Sequence, residues 1–287
     1  MNMQPCAWKS VLAFLLVTFS LSHSQAKDLP ALVKEQPPHY QPRYVPFENG
    51  EHASYQASWN GIPVATADVR TSPLFIEGKK AFKVDVQART MRVLDLVWKM
   101  RDSIQSVFDG GTLSPKSYVF QQRENSRSTD THALYNPAEK KWTVSRRKGK
   151  KTSRFEINSG NTFDPITATY LMRTLDFKVG DQLRFHVFGG KSRYLLTLNV
   201  AARETVTTKA GTFDAYRIIP SALNLNSDGY AEKMREAVVW ISADSRRLPV
   251  KLQSRVIIGH VYLELTADQP TQTASFQDNT AVPASSN

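Results

Sequence analysis

The chain has 287 residues, with 37 Lys or Arg against 26 Asp or Glu, a formal net charge of +11, and one cysteine. A lone cysteine excludes an internal disulfide framework and a Cys-ligated metal centre, so stability has to come from core burial, for which this length suffices. The basic balance favours anionic partners such as phospholipid headgroups, lipopolysaccharide phosphates or acidic polysaccharide, and an evenly solvated basic surface meets it equally well.

Residues 1–26 read as a cleaved secretory signal. Lys9 is a positive n-region, Val11 to Leu21 an apolar core, and Ser24-Gln25-Ala26 a small-residue cleavage site before Lys27. The apolar run is too short for a bilayer core of ~30 Å. Cys6 leaves with the signal, and the exported chain then has no thiol. Residues 27–47 carry Pro30, Pro37, Pro38, Pro42 and Pro46 with little periodicity and predict a semi-rigid tether.

Residues 48–267 form one domain whose apolar period is two. Phe82, Val84, Val86 and Ala88 alternate with Lys83, Asp85 and Gln87; Tyr118 and Phe120 alternate with polar neighbours; Leu196, Leu198 and Val200 share a face. Such alternation predicts half-buried antiparallel strands. Turn chemistry falls between them at Asn60-Gly61, Gly110-Gly111, Asn136-Pro137, Gly189-Gly190, Ala210-Gly211 and Asp244-Ser245. Asn60-Gly61 is the sharpest hairpin signal, because a two-residue type I′ turn needs positive φ at both positions. Two segments break the pattern. Met91 to Met100 reads as a short helix running into a strand, and Phe163 to Leu175 as the main helix, opened by Asp164 and Pro165. Residues 268–287 are rich in Thr, Ser, Gln and Ala and predict a disordered tail. The expectation is an all-β, mainly antiparallel fold: a curled sheet or barrel of about a dozen strands, with one helix (about 164–175) at its mouth. A closed barrel and two packed sheets both remain open.

From Phe47 to Ala267 the chain resembles the bacterial family known as domain of unknown function 3108. The resemblance rests on Asn49-Gly50-Glu51, Trp59-Asn60-Gly61-Ile62-Pro63, Arg101-Asp102, the segment Phe163 to Arg173, and Phe177-Lys178-Val179-Gly180-Asp181. It continues in Glu204 to Ile218, with Lys209-Ala210-Gly211-Thr212-Phe213, and in Val239 to Val250, with Trp240-Ile241-Ser242-Ala243-Asp244. It implies an exported, periplasmic envelope protein of a Gram-negative bacterium with a β-rich, barrel-like fold, and it implies no reaction. A looser likeness to curled-sheet lipoprotein carriers of the Lol type is one of fold alone and transfers no function.

Chemistry is sparse. His39, His52, His132, His186 and His260 show no ligand spacing, and Asp130-Thr131-His132 lacks a local third ligand, so neither a metal nor any other cofactor is expected. Ser145-Arg146-Arg147-Lys148 matches Ser-x-x-Lys in form only, because its serine sits in a strand rather than at a helix start. Asp95 and Asp102 have no fixed separation, as a glycosidase pair would need. The strongest local signal is basic: Lys140, Lys141, Arg146, Arg147, Lys148, Lys150, Lys151 and Arg154 lie together around Gly149, a hairpin tip. Arg146, Arg147, Lys148, Lys150 and Lys151 form a candidate patch for an anionic surface, although lysines also serve to keep an edge strand from pairing.

Trp59, Trp98 and Tyr170 are candidate cavity residues, with Arg101, Asp102 and Arg173 at the edge. The two arginines and Asp102 serve equally well as structural ion pairs. The first functional expectation is a monomeric, non-enzymatic binding or carrier module for an apolar or lipid-like ligand in the envelope. A structural adaptor docking envelope proteins is the alternative, and a hydrolase with an unrecognised site ranks third. Nucleic acid is not an expected partner of an exported domain.

Overall fold

The computed structural model describes residues 37–158, 160–225, 229–230, 236–256 and 258–270. The signal expected over 1–26, the start of the tether and the tail beyond 270 lie outside them.

An up-and-down meander opens the fold: β1 (Glu51–Trp59), β2 (Ile62–Ile76), β3 (Lys79–Thr90), β4 (Arg101–Asp109), β5 (Pro115–Glu124), β6 (Arg127–Asn136), β7 (Lys141–Lys148) and β8 (Lys151–Asn158). β9 (Thr162–Phe163) leads into α1 (Pro165–Arg173). A second run follows: β10 (Gln182–Phe188), β11 (Arg193–Thr208), β12 (Gly211–Asn224), β13 (Gly229–Tyr230), β14 (Ala237–Ser242), β15 (Pro249–Arg255) and β16 (His260–Pro270). β1 pairs antiparallel with β16, which joins the two runs into one sheet ordered β8-β7-β6-β5-β4-β3-β2-β1-β16-β15-β14-β12-β11-β10-β9, with β13 added on β12. The β9–β10 pair is the parallel one.

The predicted fold class holds: the domain is a curled, mainly antiparallel sheet with one helix, and it is not closed, because β8 and β9 end the hydrogen-bonded order. Side chains span the gap instead. The Trp142 indole on β7 donates to the Thr162 carbonyl at 3.0 Å, and its ring stacks on Phe188 of β10 at 5.4 Å. Among the described residues sixteen strands exceed the dozen expected, in part because β9 and β13, at two residues each, are too short to show an apolar alternation.

Local chemistry sets the ladder. Asn60 and Gly61 adopt φ of +47° and +85°, the turn their dipeptide predicts. β4 alternates strictly, with Asp102, Ile104, Ser106 and Phe108 turned inward. The Pro-rich stretch, over its described part 37–47, lies along the domain rather than away from it. Phe47 is fully buried, Tyr40 packs on the Phe185 ring at 5.0 Å, and the Arg43 N–H donates to the Thr174 carbonyl at 3.2 Å. At the other end β16 runs on to Pro270, three residues past the expected domain boundary.

Candidate functional site

Asp164 starts α1. Its carboxylate accepts the backbone N–H of Ile166 and of Thr167, each at 3.0 Å, and Pro165 takes the first turn, where no N–H is needed. Eight of the nine helical residues are buried. A helix covered on all sides belongs inside, not at the mouth of the sheet where the sequence placed it. It divides the interior in two.

On the meander side the space is filled. Phe47, Phe82, Phe108 and Tyr170 interlock, with Phe47 4.7 Å from Tyr170 and 5.1 Å from Phe82 in edge-to-face contacts. Ser106 donates to the buried Asp164 carboxylate at 3.1 Å and ties α1 to β4. On the opposite side the sheet stands off from the helix. A cavity of about 160 Å³ lies between α1 and the inward faces of β10, β11, β12, β14, β15, β16 and β1, and reaches Val69 on β2 and Val86 on β3. Ala168 and Met172 wall it from the helix; Leu196 and Leu198 on β11, Ile218 and Ala222 on β12, Val239 on β14, and Leu252 and Leu263 wall it from the sheet. Register brings these together: Leu196 opposes Ala222, Leu198 opposes Pro220, and Leu252 opposes Leu263. Leu196, Leu198, Val239 and Thr169 keep partial exposure and mark its solvent side.

One wall of the cavity is polar and closed on itself. Arg173, in the last turn of α1, makes a bidentate pair with Glu51 at the start of β1, with N–O distances of 2.5 and 2.7 Å. Tyr170 donates its hydroxyl to Glu51 at 3.1 Å, and Arg173 also donates to the Arg246 carbonyl at 3.0 Å. The guanidinium lies 5.2 Å from the Phe47 ring centroid and 4.9 Å from that of Tyr170. Burial acts to lower the Arg173 pKa, but the Glu51 charge and its hydrogen bonds outweigh it and hold the arginine cationic. Burial, aided by the Glu51 charge, pushes the Tyr170 phenol well above its ordinary value. Cation and anion cancel, so the pair presents no free charge to the cavity.

Of the six residues singled out from sequence, Tyr170 and Arg173 line this cavity and four do not. Trp59 ends β1, half-buried, its indole donating to the Ile258 carbonyl at 2.8 Å. Trp98 packs half-buried in the β3–β4 connection. Arg101 pairs with Asp95, its Nη2 2.5 Å from the carboxylate, and not with Asp102. Asp102 faces inward on β4, accepts the Arg123 N–H at 2.7 Å, and is pushed up to about 7 by burial. Sequence reasoning passed over Glu51, Tyr55, Tyr194 and Ile218 as lining residues, although the Leu196/Leu198/Val200 face was visible in the period of β11.

The basic hairpin is β7–β8, and Gly149-Lys150 is its tip. Lys148, Lys150 and Lys151 are exposed, and Arg146 is half-buried. Arg147 pairs with Asp130 at 2.7 Å, a carboxylate that also holds Arg123 at 2.6 Å. That double pairing occupies the Asp130 side chain, and His132 beside it is exposed. Among the described residues no three His, Cys, Asp or Glu side chains converge to hold a metal.

Residues 54–266 match the model of the family described as Protein of unknown function (DUF3108), and the chain belongs to that family. No curated protein matches the sequence. Among solved structures it is similar to a β-barrel-like protein of domain of unknown function DUF1849 from Brucella abortus, at 9% identity and a TM-score of 0.48, covering 78% of this chain and 98% of that one. It is also similar to a candidate lipoprotein from Parabacteroides distasonis, at 10% identity and a TM-score of 0.35, covering 82% of this chain and 100% of that one.

Proposed function

We propose that this protein is a non-enzymatic binding or carrier module of the periplasm whose ligand is an uncharged apolar group. The observation that carries the reading is the cavity between α1 and the β11–β12–β14 face. A dry cavity of about 150 Å³ is enough to hold benzene or xenon, so about 160 Å³ suits a compact ring or a segment of one acyl chain. The neutralised Glu51–Arg173 pair favours a ligand that brings no charge to that wall, because an added carboxylate would compete with Glu51 for a saturated arginine. The reading as a module of the envelope rests on the secretory pattern of residues 1–26.

Titration with a fluorescent fatty-acyl methyl ester tests this. Saturable, one-to-one binding that decanol displaces is the expected result. Absence of saturable binding, or binding that decanol leaves untouched, overturns it.

A further inference from the structure

The meander places the β1–β2, β3–β4, β5–β6 and β7–β8 connections in a row at one end of the sheet, and the β15–β16 turn joins them beside β1. Backbone bonds knit neighbouring tips: Asn60 N–H to His260 carbonyl, Met91 N–H to Val64 carbonyl, Asn125 N–H to Lys99 carbonyl, and Gly149 N–H to Ser128 carbonyl. Five of the eight large hydrophobic side chains recorded as exposed sit on this end: Ile62, Val93, Leu96, Val97 and Ile258, each between 61% and 97% exposed. Monomeric soluble proteins seldom gather apolar side chains this way without using them.

Leu96 and Val97 are held out by a built loop. Leu94 and Trp98 pack inward, a 3-10 turn spans Arg92–Leu94, and Asp95 is clamped by Arg101 and by the Thr90 hydroxyl at 2.8 Å. The adjoining tips are basic. Arg92, Lys99, Arg127, Lys148, Lys150 and Lys151 are exposed and carry no ion pair among the described residues. The acids nearby are engaged: Asp95 with Arg101, Asp130 with Arg123 and Arg147, Glu236 with Arg255, and Glu124 with the Gln122 amide.

We propose that this end docks on an anionic phospholipid bilayer, with Leu96, Val97 and Val93 entering the headgroup–acyl boundary and the basic tips meeting lipid phosphates. Protruding apolar tips fit a fluid plane, which moulds around them, and the flanking unpaired cations supply the electrostatic half of interfacial binding. The inference is independent of what the cavity holds.

The test uses the purified chain with phosphatidylcholine vesicles containing about 30 mol% phosphatidylglycerol, and with pure phosphatidylcholine vesicles as reference. Expected are co-sedimentation with the anionic vesicles, a blue shift in tryptophan emission and weakening as salt rises. L96E/V97E lowers partitioning about tenfold or more, while K150E/K151E lowers it less. All four positions are exposed, so the variants keep the parent melting temperature. L96S/V97S repeats the test without added charge: the same loss supports insertion, whereas undiminished binding overturns it. Failure to bind anionic vesicles overturns the proposal outright. So does a dimer in sedimentation velocity that L96E/V97E dissociates, because a second copy would then be what covers this end.

Discussion

The two sides of α1 differ in kind. Toward the meander, rings from β3, β4, α1 and the segment before β1 interlock in edge-to-face and tilted contacts, and polar groups that enter are desolvated. Toward β11, β12 and β14, mid-sized aliphatic side chains meet across a span they do not fill. Alternation is strict on β4 and breaks down on β11 and β14, where consecutive residues are buried or half-buried. The filled side therefore coincides with the regular strands, where large rings all point inward and interlock.

Substitutions sharpen that comparison. The largest effects belong to the pair that borders both sides and to the rings of the filled side. Arg173→Met leaves Glu51 buried without its cation and lowers unfolding free energy by about 3–5 kcal/mol, read from urea denaturation. Phe108→Ala, in the filled side, costs about 3–5 kcal/mol because its neighbours cannot collapse into the space. Leu198→Ala borders existing space and partial solvent, so its cost falls below about 2 kcal/mol. Equal costs at Phe108 and Leu198 would erase the distinction between the sides.

Asp102 probes the filled side by pH. Its pKa rises on folding to about 7 through burial, so the native state binds more protons than the unfolded state between about pH 4 and 7. Its contribution to stability is full below pH 4 and is lost as pH rises to about 7, after which it is flat. Asp102→Asn keeps an acceptor for the Arg123 N–H and removes the share of the pH slope that Asp102 contributes. Measured against wild type by urea denaturation, the variant should therefore gain about 1–3 kcal/mol in going from pH 5 to pH 8, and a difference that does not change with pH would count against this assignment. The smallest stability effect is at the cavity itself. Ala222→Phe adds a ring to open space and changes stability by less than about 1.5 kcal/mol.

Much of the ladder was legible from residues. Period-two alternation marks β3, β5 and β11, Asn60-Gly61 fixes a register, and Asp164-Pro165 fixes the helix start. The position of the helix was not, since nine residues with Thr167, Tyr170 and Arg173 among them look amphipathic until Asp164 is seen to satisfy Thr167 and Glu51 to satisfy Tyr170 and Arg173 inside. The Met91–Met100 segment was legible in part: a 3-10 turn at Arg92–Leu94 does lead on to β4, but the sequence did not show which apolar side chains face out. Apolar spacing gives a shape and not a direction, and here the loop turns Leu96 and Val97 to solvent. Trp59 and Trp98 suit a rim as well as a pocket, and composition does not separate the two. The cavity was the least legible feature, because Leu196 on β11 and Leu263 on β16 line it together only through the successive pairings of β12, β14 and β15.

Native mass spectrometry with lipid extraction, on the wild-type chain and Ala222→Phe purified gently and incubated with the same envelope lipid extract, tests the central claim most directly. The account predicts one small apolar ligand on the wild type and none on the variant. A wild type that stays free of ligand, or a variant that carries the same ligand to the same extent, would contradict it.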